Sequence, residues 1–225
     1  MSTALLPCVE VEPRVKARAT FIFLHGLGAD GHDFETIVPH LELPPELGVR
    51  FVFPHAPKRP VTLNGGIVMP AWFDIGGDDL MRGESSDLAG IKAAEKQIHA
   101  LIEREIARGV DSQNIVIGGF SQGGALAAWI ALRYPKPLAG LIALSTFLAK
   151  NAPLEADATI ANRSIATFAA HGTRDGVVGI AYGRNLSERL KKIGCDVEWH
   201  EYPMAHEVCM EEIAHWGAWL RARFE

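Results

Sequence analysis

Apolar residues fall into two kinds of stretch along this chain. Short runs rich in Val, Ile, Leu and Phe lie at residues 20–24, 50–53, 114–117, 138–144 and 165–169, and residues 197–202 alternate apolar with polar side chains. Runs this short fit β-strands, the unbroken ones buried on both faces. Between most of them lie longer stretches with helical spacing, at 34–43, 87–108, 123–134, 180–193 and 207–223. Strand-then-helix alternation predicts an α/β protein with a mainly parallel central sheet and helices on both faces. Residues 9–17 are expected to add an antiparallel edge strand, as mixed sheets commonly do.

The chemistry-bearing signal sits where one of these strands meets its helix. Gly119-Phe120-Ser121-Gln122-Gly123 follows an apolar run and precedes an alanine-rich one. A strand that turns sharply into a helix lifts a serine out of the backbone, and glycines two before and two after relieve the crowding. A serine hydroxyl is a poor nucleophile at neutral pH, so it needs a base and a group that orients the base. In this arrangement the partners follow in the order acid then histidine, each after a later strand.

Asp175 lies in a polar, glycine-bearing loop after the strand at 165–169, where an Asx turn or a helix N-cap is the plainer alternative. Asp157 sits in a connecting segment, and Asp196 begins a strand at the wrong end for catalysis. His206 follows the last strand and opens the last helix, which makes it the candidate base. His200 lies on the polar face of that strand and His215 lies inside the helix. His171 also sits at a strand end, but it precedes Asp175, and the order argues for a structural role. A tetrahedral oxyanion requires two preorganised donors. The Gln122 backbone N–H is one candidate, and the Leu27 N–H, in the glycine-rich loop after the strand at 20–24, is the other. The glycine spacing of that loop matches neither a dinucleotide fingerprint nor a phosphate-binding P-loop. His25 is expected to pack the loop through a backbone hydrogen bond.

Five segments carry a resemblance when taken together and in order. They are His25-Gly-Leu-Gly28, Pro60-Val-Thr-Leu-Asn64 with Pro70-Ala-Trp-Phe-Asp-Ile75, Gly119-Phe-Ser-Gln-Gly-Gly124, His171-Gly-Thr-Arg-Asp-Gly-Val-Val178 and Ala205-His-Glu207. They resemble the phospholipase/carboxylesterase family, the α/β-hydrolase branch that also contains acyl-protein thioesterases. The resemblance implies an α/β-hydrolase fold and a serine hydrolase of carboxylic esters or thioesters. It implies Ser121, Asp175 and His206 as the triad and Leu27 and Gln122 as oxyanion donors, in agreement with the reading from the residues. Gly179 departs from the pattern, since the family often has proline there, and residues 76–86 fall where such enzymes vary.

Composition narrows the rest. With 225 residues, 48% hydrophobic and 22% charged, one domain over residues 1–225 with a substantial core and no separate cap domain is expected. The net charge of −5 gives no electrostatic case for a nucleic-acid partner. Cys8, Cys195 and Cys209 are widely separated, without metal spacing, and read as reduced thiols. No metal or cofactor is expected. The N-terminus lacks a secretory pattern and no run is long enough to span a membrane, so a soluble cytoplasmic protein is expected. Long loops in compact domains commonly form lids or binding walls. Leu63, Trp72 and Phe73 are therefore expected to form an apolar acyl pocket, the alternative being that the aromatics cover the core. Residues 145–163 are expected to form a second wall. The expected site is open and shallow, suited to a small-molecule ester or acyl thioester. An apolar lid edge would suit a homodimer contact.

Overall fold

Side chains alternating across the pleat build the centre of the molecule. The computed structural model describes residues 5–150 and 154–225. Its strands are β1 (Cys8–Val11), β2 (Ala19–Leu24), β3 (Val49–Pro54), β4 (Lys58–Val61), β5 (Ile67–Pro70), β6 (Ile115–Phe120), β7 (Gly140–Leu144), β8 (Ala166–Gly172) and β9 (Asp196–Tyr202). The helices are α1 (Gly77–Arg82), α2 (Leu88–Ala107), α3 (Gln122–Arg133), α4 (Leu154–Asp157), α5 (Ile180–Ile193) and α6 (Met210–Phe224). Seven strands form the main sheet in the order β1-β3-β2-β6-β7-β8-β9, parallel except for β1, which runs antiparallel to β3.

Period-two alternation divides the core in two. Ile22 and Leu24 of β2 face one layer, with Ile117 of β6 and the buried sides of α2, α3 and α5. Phe21 and Phe23 face the other layer, with Phe51 and Phe53 of β3 and Trp216 and Leu220 of α6. Phe23 stacks on Trp216 with ring centroids 5.1 Å apart. Helices therefore cover both faces of the sheet, and among the described residues none is long and apolar enough to cross a membrane.

Several elements differ from the sequence expectation. The stretch expected to be a helix at 34–43 is a 3-10 segment over Glu35–Leu41 with Pro39 inside it. Proline cannot donate the backbone bond that an α-helix needs at that position. The edge strand stops at Val11, ahead of Pro13, instead of running to residue 17. Residues 58–70 contain an antiparallel hairpin of β4 and β5, which stands apart from the main sheet. Its strands hold Pro60 and the exposed Ile67 and Val68, so no buried alternation marks them. Helix α1 lies in the variable segment. Asp87 caps α2, its carboxylate accepting from the Gly90 N–H at 2.8 Å and from the Asp74 N–H at 2.9 Å.

One end of the sheet is pinned by charge. Glu105 of α2 is fully buried and accepts from Arg50 of β3 at 2.7 Å and from the Thr20 hydroxyl at 3.2 Å. Arg50 also donates to Glu12 at 2.9 Å, which ties the chain just after β1 to the same cluster. A second buried carboxylate, Glu212 in the first turn of α6, is not so served. Both of its oxygens lack a well-formed hydrogen bond. Burial pushes its carboxyl up from 4.5 to about 8, and the nearby Cys209 backbone offsets this only in part.

Folding therefore takes up a proton at Glu212 between pH 4.5 and pH 8, and stability falls as pH rises through that window. Glu212→Gln is expected to remove this slope, a difference of ~2–4 kcal/mol across the window. Urea unfolding at several pH values checks it, and parallel pH profiles for the two proteins would contradict the assignment.

Candidate active site

The sheet order reverses direction at the β2–β6 pair, which creates the crevice where open α/β sheets bind ligands. The loops after β2, β6, β7, β8 and β9 all emerge at that edge. Their ladder continues past the strands: Ser121 N–H donates to Leu144 O at 2.9 Å, Ser145 N–H to Ala170 O at 2.8 Å and Thr173 N–H to Tyr202 O at 2.8 Å. Residues far apart in sequence are thus brought to one level.

Ser121 joins β6 to α3 with φ 53° and ψ −120°, a conformation that costs a non-glycine residue ~1–3 kcal/mol. The surroundings leave it no alternative. A Cβ on Gly119 would strike the Gly123 backbone, and one on Gly123 would strike the carbonyls of Leu24 and His25. Strand and helix meet backbone to backbone, so the serine between them has to turn outward. The Thr146 hydroxyl holds the Ser121 carbonyl at 2.6 Å.

The three residues expected to act together are in line. His206 Nε2 lies 3.0 Å from Ser121 Oγ, and His206 Nδ1 lies 2.7 Å from Asp175 Oδ2. Asp175 Oδ1 accepts from the N–H groups of Val177 and Val178 at 2.9 and 2.8 Å. The Asx turn considered as an alternative for Asp175 is present, and it aims the other oxygen at the imidazole. The Asp175 side chain is completely buried. His171 sits behind the acid, its Nε2–H donating to Val178 O at 2.8 Å, and burial lowers its pKa. Asp157 pairs with Arg133 at 2.6 Å, His200 with Glu198 at 2.7 Å, and His215 with the Tyr202 hydroxyl at 2.9 Å.

A cavity of about 320 Å³ opens over Ser121. Leu27 and Gln122 both line it, as does Leu63, whereas Trp72 and Phe73 do not. These two aromatics, expected in the acyl pocket, are core residues, 2% and 0% exposed. Their polar groups bind neighbouring loops. Trp72 Nε1–H donates to His25 O at 2.9 Å, the Gln122 side-chain oxygen accepts from Trp72 N–H at 2.9 Å, and the Gln122 amide donates to Phe73 O at 2.8 Å. His25 completes the clamp. It accepts from the Ala56 N–H through Nε2 at 3.1 Å, so Nδ1 carries the proton and donates to Gly26 O at 2.8 Å. Burial lowers its pKa and keeps the ring neutral. The Gln122 side chain is a part of the site that sequence reading missed. Phe147 lines the cavity from within the 145–163 segment expected to form a second wall, whereas Ile75, Val177 and Val178 were missed as cavity walls. The two valines follow a strand end at this edge, which is the signal that would have found them. Among the described residues, no group of three or more His, Cys, Asp or Glu side chains is arranged to hold a metal.

Sheet topology, elbow and strand-end loops together define an α/β-hydrolase fold. A profile of the phospholipase/carboxylesterase family matches residues 7–222, and the chain belongs to that family of hydrolases. It is 40% identical over 233 aligned positions to acyl-protein thioesterase 1 of Mycosarcoma maydis, covering 96% of this chain and 97% of the relative. Among solved structures, SOBER1 of Arabidopsis thaliana superposes with a TM-score of 0.84 at 31% identity, covering 93% of this chain and all of that one. Acyl-protein thioesterase 2 of Zea mays gives 0.84 at 28% identity, covering 97% and 99%.

Gln122→Ala would leave the backbone N–H in place but orphan the buried Trp72 N–H and Phe73 carbonyl. Stability should fall by ~2 kcal/mol, read as a lowered urea midpoint. An unchanged midpoint would show that the clamp is not needed to hold the 72–73 segment.

Proposed function

We propose that the protein is a serine hydrolase that cleaves carboxylic esters through Ser121, His206 and Asp175. The observation that carries this reading is the continuous hydrogen-bonded line from Ser121 Oγ through His206 to Asp175 Oδ2, at 3.0 and 2.7 Å. Asp175 accepts the Nδ1 proton, which leaves the Nε2 lone pair facing the hydroxyl. His206 removes the Ser121 proton as the oxygen attacks the acyl carbonyl. The backbone N–H groups of Leu27 and Gln122 receive the oxyanion. His206 then passes its proton to the departing alcohol, and the acyl-enzyme is hydrolysed by water activated by the same imidazole.

Leu63, Ile75, Phe147 and Val177 supply an apolar wall for the acyl chain. Leu63 and Val177 are 39% and 62% exposed, which supports an open rim suited to small esters or to a chain lying in a groove. Hydrolysis of acyl thioesters is a second reading, favoured by the 40% identity to a protein named as an acyl-protein thioesterase. The same line of residues serves either substrate, because the thiol leaves as readily as the alcohol once the tetrahedral intermediate forms. The free thiols Cys8, Cys195 and Cys209 support a cytoplasmic setting.

Ser121→Ala should lower kcat by ~10⁴-fold or more on a p-nitrophenyl ester series while leaving the circular dichroism unchanged. Near-normal turnover in that variant would overturn the assignment. Asp175→Asn should lose activity on a similar scale, ~10⁴-fold, because asparagine cannot hold the required tautomer. Rates on a matched oxyester and thioester decide between the two substrate readings.

A further inference from the structure

The proposed reaction divides the cavity into two halves. The leaving oxygen or sulfur has to take its proton from His206 Nε2, so the leaving half of the substrate lies on the imidazole side. Phe120 marks that side, with its ring centroid 4.7 Å from that of His206 and 5.7 Å from that of Phe34. Asp33 directly precedes Phe34 and lines the same cavity. The other half is apolar: Leu63 N–H donates to Ile75 O at 2.8 Å, joining two walls that face the cavity with Phe147.

Asp33 is out of place in such a lining. Among the described residues no Lys or Arg borders the cavity, and the other ionisable group there is His206. Asp33 is exposed at the rim of the cavity, among the described residues no hydrogen-bond donor or salt-bridge cation engages its carboxylate, and partial desolvation there raises its pKa. Nor does it serve the local fold. The 3-10 segment that follows is preceded by Phe34 with no side-chain cap, and the Asx bond of this loop comes from Asp30, which accepts from His32 N–H at 2.8 Å. An unpaired carboxylate beside a reaction centre favours a cation there and disfavours a neutral group of the same shape.

We propose that Asp33 selects esters or thioesters whose leaving half carries a positive charge, such as an alkylammonium alcohol or thiol, over neutral ones with the same acyl chain. The proposal rests on the serine-hydrolase reading above, because His206 tells which half leaves. Acyl-chain preference then belongs to the apolar walls and leaving-group preference to Asp33.

Butyrylcholine and 3,3-dimethylbutyl butyrate share an acyl chain and differ in the leaving alcohol by the charge alone, so the ratio of their kcat/KM values isolates the effect. In Asp33→Asn this ratio should fall about fivefold, and in Asp33→Lys further still. In the wild type it should decline as salt is raised, since a rim charge is screened. A ratio unchanged by Asp33→Asn overturns the proposal, including the case where both rates fall together through general damage. Failure of folded wild-type protein to hydrolyse either ester, or full activity in Ser121→Ala, overturns the serine-hydrolase reading itself and the proposal with it.

Discussion

The site depends on how closely β6 and α3 approach one another. Gly119 and Gly123 bring the strand backbone against the helix backbone, and Gly123 also touches the carbonyls at the end of β2. No side chain can intervene, so the residue at the junction is forced into a conformation that a serine otherwise avoids. The cost is local and is borne by the surroundings. A strand ladder on either side, the Thr146 hydroxyl on the Ser121 carbonyl and an almost entirely buried α3 hold the junction in place. A side chain supported in this way is held in one position by the fold itself, which is what preorganisation requires.

Around this junction the loops are tied by buried polar groups. His25, Trp72 and Gln122 form a chain of hydrogen bonds from the loop after β2, through the 72–73 segment, to the first residue of α3. Each buried donor and acceptor in that chain is matched, so its removal would expose a partner to desolvation without compensation. The residue following the serine therefore has two separate functions in this structure. Its side chain holds the 72–73 segment, and the residue itself borders the cavity. Asp175 shows a similar division, with one oxygen occupied by its own loop and the other directed to His206.

The strands and most helices were legible because burial imposes a period on the sequence. Each of the apolar runs read as a strand became one, with ends shifted by no more than three residues. The sheet hides both faces of these strands, and only β-forming apolar residues satisfy that. Where burial is absent the pattern fails. The β4–β5 hairpin projects from the sheet, with Ile67 and Val68 in solvent, and its pairing is held by backbone bonds that leave no periodic trace. The 35–41 segment has the spacing of a helix, but Pro39 breaks the bonding that spacing presumes.

The sequence alone determined the fold class, the family and the chain order of Ser121, Asp175 and His206, because strand-to-helix turns and strand-end loops have local compositions that can be read along the chain. It did not decide which side chains line the cavity. Trp72 and Phe73 look like pocket residues in one dimension, yet their N–H and C=O groups are claimed by His25 and Gln122, so their rings turn into the core. Ile75, Val177 and Asp33 look ordinary and line the cavity over Ser121. Only the tertiary structure decided this. The bonds that turn this loop inward span 47 to 50 positions of sequence, and no local period encodes them.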